Sequence, residues 1–223
     1  MAEDRPGYYA VYLDLLRKKA LVLGGGAAAA DKARGLIAAG ADVTVVSPTF
    51  EDDLVQMGGR HEVRLLAHAF EESDLDGVDL VIDASGDDPQ GVAVAAAARR
   101  RRVLVNVLDR PPLCDFIAPA IVRRGSLQVA ISTAGRSPFM ASYIRRLLES
   151  AIGPEHGELV ALVGELRDHL RAEGMPLDEQ TAIYDRIPGC GALEHLQRGD
   201  AAAARAAIWA CADRAAGVQA ALF

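Results

Sequence analysis

Gly24, Gly25 and Gly26 stand together after the apolar run Ala20–Leu23, and an alanine-rich stretch follows them. The spacing is G-x-G-x-x-A, with Gly24, Gly26 and Ala29 in the key places. Gly24 permits a sharp turn, Gly26 lets backbone approach a pyrophosphate, and small Ala29 lets a helix pack closely on a strand. The N–H groups and positive dipole end of such a helix then face phosphate. A glycine turn alone is a weak signal, so the surrounding chain has to supply the rest of a dinucleotide fold. NAD-binding folds carry an acid about 20 residues past the first glycine, bonding the ribose. The equivalent tip here is Ser47-Pro48-Thr49, with no carboxylate before Glu51 and no arginine to favour a 2′-phosphate. On the residues alone, NAD and NADP both stay open.

Two other groups can do chemistry. Asp109 follows the apolar run Val103–Leu108 and precedes Arg110-Pro111-Pro112. A carboxylate at a strand end can accept a proton while hydride leaves a substrate; an Asp closing a turn before proline is the alternative. Ser132, Thr133, Arg136 and Ser137 lie in the run STAGRSP, with Arg145 and Arg146 in the stretch that follows. Arginine pairs bidentately with carboxylates, and the hydroxyls can add neutral hydrogen bonds. A solvated helix face is the alternative for Arg145 and Arg146. Cys190 and His195 lack a zinc spacing, and His61, His68, His156 and His169 are scattered, so no metal site is expected.

Elements that would position these groups follow from composition and periodicity. Ala20–Leu23 reads as a strand, Ala27–Ala39 as a helix stopped by Gly40, and Asp42–Ser47 as a second strand bounded by Pro48. That is a βαβ unit with a right-handed crossover. His61–Leu66 is a candidate third strand, and Val78–Ala84 and Val103–Leu108 read as strands covered on both faces. Between them Gly91–Arg102 forms a helix whose terminal arginines, Arg99–Arg102, suit the negative dipole end as a solvated cap. Alternating strands and helices imply an open parallel sheet. Tyr8–Leu16 is aromatic and apolar, and is expected to pack on that sheet. After Pro111-Pro112, residues 116–132 suggest a hairpin turning at Arg123–Ser126, and Phe139–Ser150 an amphipathic helix. Helices are expected at Glu158–Glu173, Asp178–Arg186 and Ala201–Leu222, with Leu159, Leu162, Val163, Leu166 and Leu170 as a packing stripe. The fold expected is α/β: a Rossmann-like dinucleotide-binding domain at 1–113, a small α+β segment at 114–150, and a helical C-terminal domain at 151–223.

Composition narrows the partners. With 223 residues, 51% of them hydrophobic, the chain can bury a sizeable core. Its net charge of -7 opposes bulk affinity for nucleic acid or anionic membranes. No apolar run approaches the roughly 20 residues that span a bilayer. Met1–Leu16 lacks the basic-then-apolar order of a signal peptide. Three scattered cysteines, Cys114, Cys190 and Cys211, fit a reducing cytoplasm rather than a disulfide framework.

The order YYAVYLDL, VLGGG, VTVVSP, NVLD-x-x-x-LCDFI-x-P-A-I and LQVAISTAGRSP resembles the precorrin-2 dehydrogenase / sirohydrochlorin ferrochelatase family of siroheme biosynthesis, over residues 8–150. The resemblance implies oxidation of precorrin-2 to sirohydrochlorin with NAD as hydride acceptor. In bifunctional members it also implies insertion of ferrous iron, as a second substrate, to give siroheme. It places the essential aspartate of NVxD on Asp109, and the cofactor contacts on Gly24, Gly26, Ala27, Ala28, Pro48 and Thr49. It implies a homodimer whose interface includes the segment at 114–150. Ser132, Thr133, Arg136, Ser137 and Arg145 become the expected contacts to a tetrapyrrole rich in carboxylates. Relatives also lack the ribose acid at the strand tip. Three positions depart from the family: Ala27 where an acid is frequent, Arg110 where a second aspartate is common, and Ala134 where glycine is usual. A serine phosphorylated in some relatives matches Thr133. A dehydrogenase-only enzyme, or a non-catalytic regulator binding NAD and a tetrapyrrole, are the alternatives.

Overall fold

The structure is a computed structural model describing residues 8–220, with side chains placed through Asp213. Met1–Gly7, read above as lacking a secretory signal, and the expected helix end at Leu222 lie outside the described residues. The chain forms two compact units, Met1–Ala118 and Pro119–Phe223.

In the first unit a five-stranded parallel sheet has the order β3-β2-β1-β4-β5. The strands are β1 (Lys19–Leu23), β2 (Asp42–Val46), β3 (Arg64–Leu66), β4 (Leu80–Asp83) and β5 (Leu104–Val107). The register pairs Leu23 with Val46 on one side and with Asp83 on the other, so the central strands end level. One face is covered by α1 (Ala27–Ile37) and α2 (Asp52–Gly59), through Ala29, Ala30, Ala33, Leu54 and Met57. Against the other lies α3 (Asp88–Arg101), through Val94, Ala95, Ala97 and Ala98. Burial on both faces explains the continuous apolar strands; alanine on the helices permits the close approach. The chain leaves β1 toward one sheet edge and returns to β4 toward the other. The β1/β4 boundary is therefore the topological switch point, where such sheets hold ligands outside the strands' carboxyl ends.

Several expectations are corrected in detail. Tyr8–Leu16 does not pack on the sheet as a block: Tyr8, Tyr9, Val11, Tyr12, Leu13 and Leu16 are exposed, and only Leu15 packs against the core. The third strand starts at Arg64 rather than His61, because His61 has φ 58° in the turn that ends α2. Helix α2 was not foreseen; Leu54 and Met57, three apart and both buried, were its signal. Helix α3 begins before Gly91, because Asp87 caps it by accepting the Gln90 N–H at 3.0 Å and Pro89 occupies its first turn. Its terminal arginines are engaged: Arg99 with Asp115, Arg100 and Arg101 with Glu72.

The second unit opens with an antiparallel hairpin, β6 (Ala120–Arg124) and β7 (Leu127–Ile131), turning through Gly125 at φ 55°. Then come α4 (Pro138–Ala151), α5 (Pro154–Ala172), α6 (Leu177–Tyr184), α7 (Ala192–Gln197) and α8 (Ala201–Ala220). The guanidinium of Arg124 donates to the carbonyls of Glu149 and Ile152 at 3.1 and 2.8 Å, closing the C-terminal end of α4 onto the hairpin. Leu166 and Leu170 form a core with Ile183, Ile208 and Cys211, while Leu159, Leu162 and Val163 pack at its margin. The leucine stripe is packing. Among the described residues no helix is long and apolar enough to cross a membrane.

Candidate active site

The carboxyl ends of β1, β2, β4 and β5 carry the loops that matter in the first unit. At β1, Gly24 has φ 114° and sits so close to β4 that a Cβ would lie 2.8 Å from the Ala84 carbonyl oxygen. A Cβ on Gly25 would fall 1.8 Å from the Thr49 carbonyl oxygen, so the loop after β2 rests directly on the glycine turn. Gly26 heads α1 and makes no side-chain cap; the first helical bond runs from the Ala30 N–H to the Gly26 carbonyl at 3.1 Å. The N–H groups of Ala27, Ala28 and Ala29 therefore lie at the open end of the helix dipole, with no acidic residue in its first turn. Gly24, Gly26, Ala27, Ala28, Pro48 and Thr49 thus come together at the switch point. The cradle fits a pyrophosphate: glycine is needed where a Cβ would collide, and amide donors converge where an anion would sit.

The loop after β4 is built by Asp83, to which sequence reading gave no individual role although Asp83–Asp88 stood out as a loop at a strand's carboxyl end. Its carboxylate is buried (2% exposed). Oδ1 accepts from the Ser85 N–H at 3.0 Å and the Ser85 hydroxyl at 2.6 Å. Ser85 Oγ in turn accepts the Asp87 N–H at 3.2 Å. The chain Asp83–Ser85–Asp87–Gln90 folds this loop beside Gly24 and starts α3.

Asp109 is exposed at the end of β5 with φ 59°, a left-handed backbone that Asp tolerates better than most residues. Such a residue persists where its surroundings determine it. The determinant here is the segment 110–116, which seals the outer edge of β5. Cys114 Sγ accepts the Val107 N–H at 3.3 Å and lies within donating reach of the Val107 and Arg110 carbonyls, at 3.2 and 3.3 Å. Asp115 accepts the Val105 N–H at 3.3 Å, and Asn106 Nδ2 donates to the Phe116 carbonyl at 2.9 Å. Arg110 pairs with Asp88 across to the start of α3. The motif N-V-L-D…C-D-F is therefore one turn with its own clamp. Cys114 and Asp115 were visible in sequence only as part of a motif, without a stated role.

In the second unit the STAGRSP loop is largely self-supporting. Thr133 Oγ1 accepts the Ser137 N–H and donates to the Ser137 carbonyl, both at 3.1 Å. Ser137 Oγ caps α4 by accepting the Met140 N–H at 3.2 Å, and Ser132 Oγ accepts the Ala134 N–H at 3.0 Å. Ala134 (φ 53°) and Gly135 (φ 77°) make the bend. Arg136 is exposed at its tip, whereas Arg145 is engaged by Glu149 at 2.6 Å. Among the described residues no three His, Cys, Asp or Glu side chains cluster as a metal site.

An NAD(P)-binding family matches residues 11–120, and the family described as "Sirohaem biosynthesis protein central" matches residues 124–151. The siroheme synthase of Methylococcus capsulatus is 37% identical over 94% of this chain and 44% of its own length. That of Pseudomonas fluorescens is 36% identical over 79% of this chain and 38% of its own. The chain thus spans less than half the length of these relatives. Among solved structures, "SirC, precorrin-2 dehydrogenase" superposes with a TM-score of 0.66 at 26% identity, over 81% of this chain and 89% of that one.

Proposed function

We propose, from its similarity to siroheme synthases along most of this chain and to a precorrin-2 dehydrogenase, that the protein oxidises precorrin-2 to sirohydrochlorin with NAD. The observation that carries this reading is the placement of Asp109, clamped in a left-handed turn at the same end of the sheet as the glycine cradle. The oxidation removes a hydride and a proton from the substrate. When bound, the nicotinamide supplies the hydride acceptor. The glycine turn and the N–H groups of Ala27 and Ala28 hold the pyrophosphate, Pro48 and Thr49 bound the adenosine side, and the Asp109 carboxylate accepts the proton at its oxygen. Arg136 and Arg145, with Ser132, Thr133 and Ser137, are the proposed substrate contacts. Their geometry divides them: Arg136 offers an exposed guanidinium to a substrate carboxylate, while the hydroxyls chiefly hold the loop that presents it.

The functional form is a homodimer in the cytoplasm. An apolar stripe on α4 supports the dimer: Phe139, Met140, Tyr143 and Leu147 are 70, 41, 43 and 51% exposed in the single chain. Ferrous iron as a second substrate is consistent with Asp109 serving both steps, and a chelatase needs only transient contact with the ion.

The test is Asp109→Asn, assayed anaerobically with precorrin-2 and NAD. Asparagine also tolerates the left-handed backbone, so the turn survives while the base is lost. Turnover should fall about a hundredfold or more, with NAD affinity within about twofold of the parent protein, because the cradle lies on other loops. Near-normal turnover would remove Asp109 from the proton transfer.

A further inference from the structure

The strand tip Ser47-Pro48-Thr49 lacks the acid that bonds the ribose in NAD-binding folds. The chain then turns back over the glycines. The Glu51 N–H donates to the Gly25 carbonyl at 2.8 Å, and Phe50 beside it packs against the core. These two anchors bring the Glu51 carboxylate to Gly26: Oε1 lies 3.4 Å from where a Gly26 Cβ would stand. Glu51 occupies the N-cap position of α2, yet its side chain makes no capping bond there, and Asp52 and Asp53 already supply acid to that helix's first turn. Its carboxylate is directed at the second glycine of the cradle rather than at its own helix.

We propose that Glu51 is the specificity-determining residue of the dinucleotide site, accepting the hydroxyls of the adenosine ribose and repelling a 2′-phosphate, so that the site takes NAD in preference to NADP. Glu51 lies two residues beyond the Ser47-Pro48-Thr49 tip, because the loop spends Ser47–Phe50 in crossing the glycine turn. The inference rests on the reading of that turn as a dinucleotide cradle. The negative charge at this point adds a like-charge penalty against a phosphomonoester and a hydrogen-bond acceptor for a diol.

The experiment is calorimetric titration of the full chain with NAD and with NADP, in the parent protein, Glu51→Gln and Glu51→Arg, without substrate or turnover. The parent protein should bind NAD at least about tenfold more tightly than NADP. Glu51→Gln should weaken NAD several-fold and bring the ratio close to one, and Glu51→Arg should reverse it, since an arginine accommodates the 2′-phosphate. Tight NAD binding with a ratio unchanged in both variants would overturn the assignment of Glu51 while leaving the cradle intact. If the parent protein binds neither nucleotide, the cradle reading itself fails, and the role of Glu51 falls with it.

Discussion

The turn that carries Asp109 depends on a residue remote from any proton transfer. Val107 is buried, and its N–H finds the Cys114 sulfur because β5 is an edge strand with no further strand beside it. Truncation in Cys114→Ala removes that acceptor, and a buried donor left unpaired costs about 1–3 kcal/mol. We expect a lower melting temperature together with a fall in kcat, as the clamp on the Asp109 turn loosens. Cys114→Ser, which keeps a donor and an acceptor on the same carbon, should restore most of both. If Ala and Ser behave alike, the sulfur is packing and not a clamp. At this scale the sequence was legible where a local conformation follows from neighbours along the chain, as with the turn at Gly24. It was not legible for Asp83 and Glu51, whose partners are set by how loops fold onto one another. Asp83 read as part of the strand Val78–Ala84; its three-residue hydrogen-bonded turn appears only once Ser85 is in place.

Elements carry the cradle, and glycine has opposite meanings at two positions ten residues apart. A Cβ on Gly25 would collide with the backbone of Thr49, whereas one on Gly35, inside α1, would meet nothing within 4 Å. Gly25→Ala must push the loop after β2 off the glycine turn and break the Glu51–Gly25 hydrogen bond. NAD affinity should fall by at least about tenfold in a titration, an outcome the close contact requires because the cradle cannot keep its shape. Gly35→Ala should instead raise stability by about 0.5–1 kcal/mol, since glycine weakens a helix interior, with NAD affinity unchanged. Equal effects from the two substitutions would contradict this account of the turn. The sheet was readable because its strands are short apolar runs bounded by glycine, proline or charge. Helices α2 and α7 were not: the first ends in a glycine pair, and the second is only six residues long, too short to show a period.

At the scale of the molecule, the family match covers both units, but each unit holds a different share of the proposed chemistry. The first holds the cradle and Asp109; the second presents Arg136 and the exposed stripe on α4. Tyr143 and Leu147 lie four residues apart on that stripe and so share a face. Leu147→Asp should convert a dimer into a monomer in sedimentation or light scattering while leaving the helical content unchanged. A parent protein that is already monomeric at micromolar concentration would rule out the dimer. Acidity and the lack of a long apolar run argued at the outset against bulk nucleic-acid affinity and a membrane-spanning helix, yet they carried no information on the tetrapyrrole step proposed for the chain. That came from motif order, whose physical basis is now visible in the sealed edge of β5. The central claim is tested most directly by incubating the full chain anaerobically with precorrin-2 and NAD, following NADH and sirohydrochlorin together and then adding ferrous iron. The account predicts one NADH for each sirohydrochlorin formed, and enzyme-dependent siroheme after iron would extend it to chelation. NAD binding without formation of either product would contradict it and leave a protein that binds the cofactor without using it.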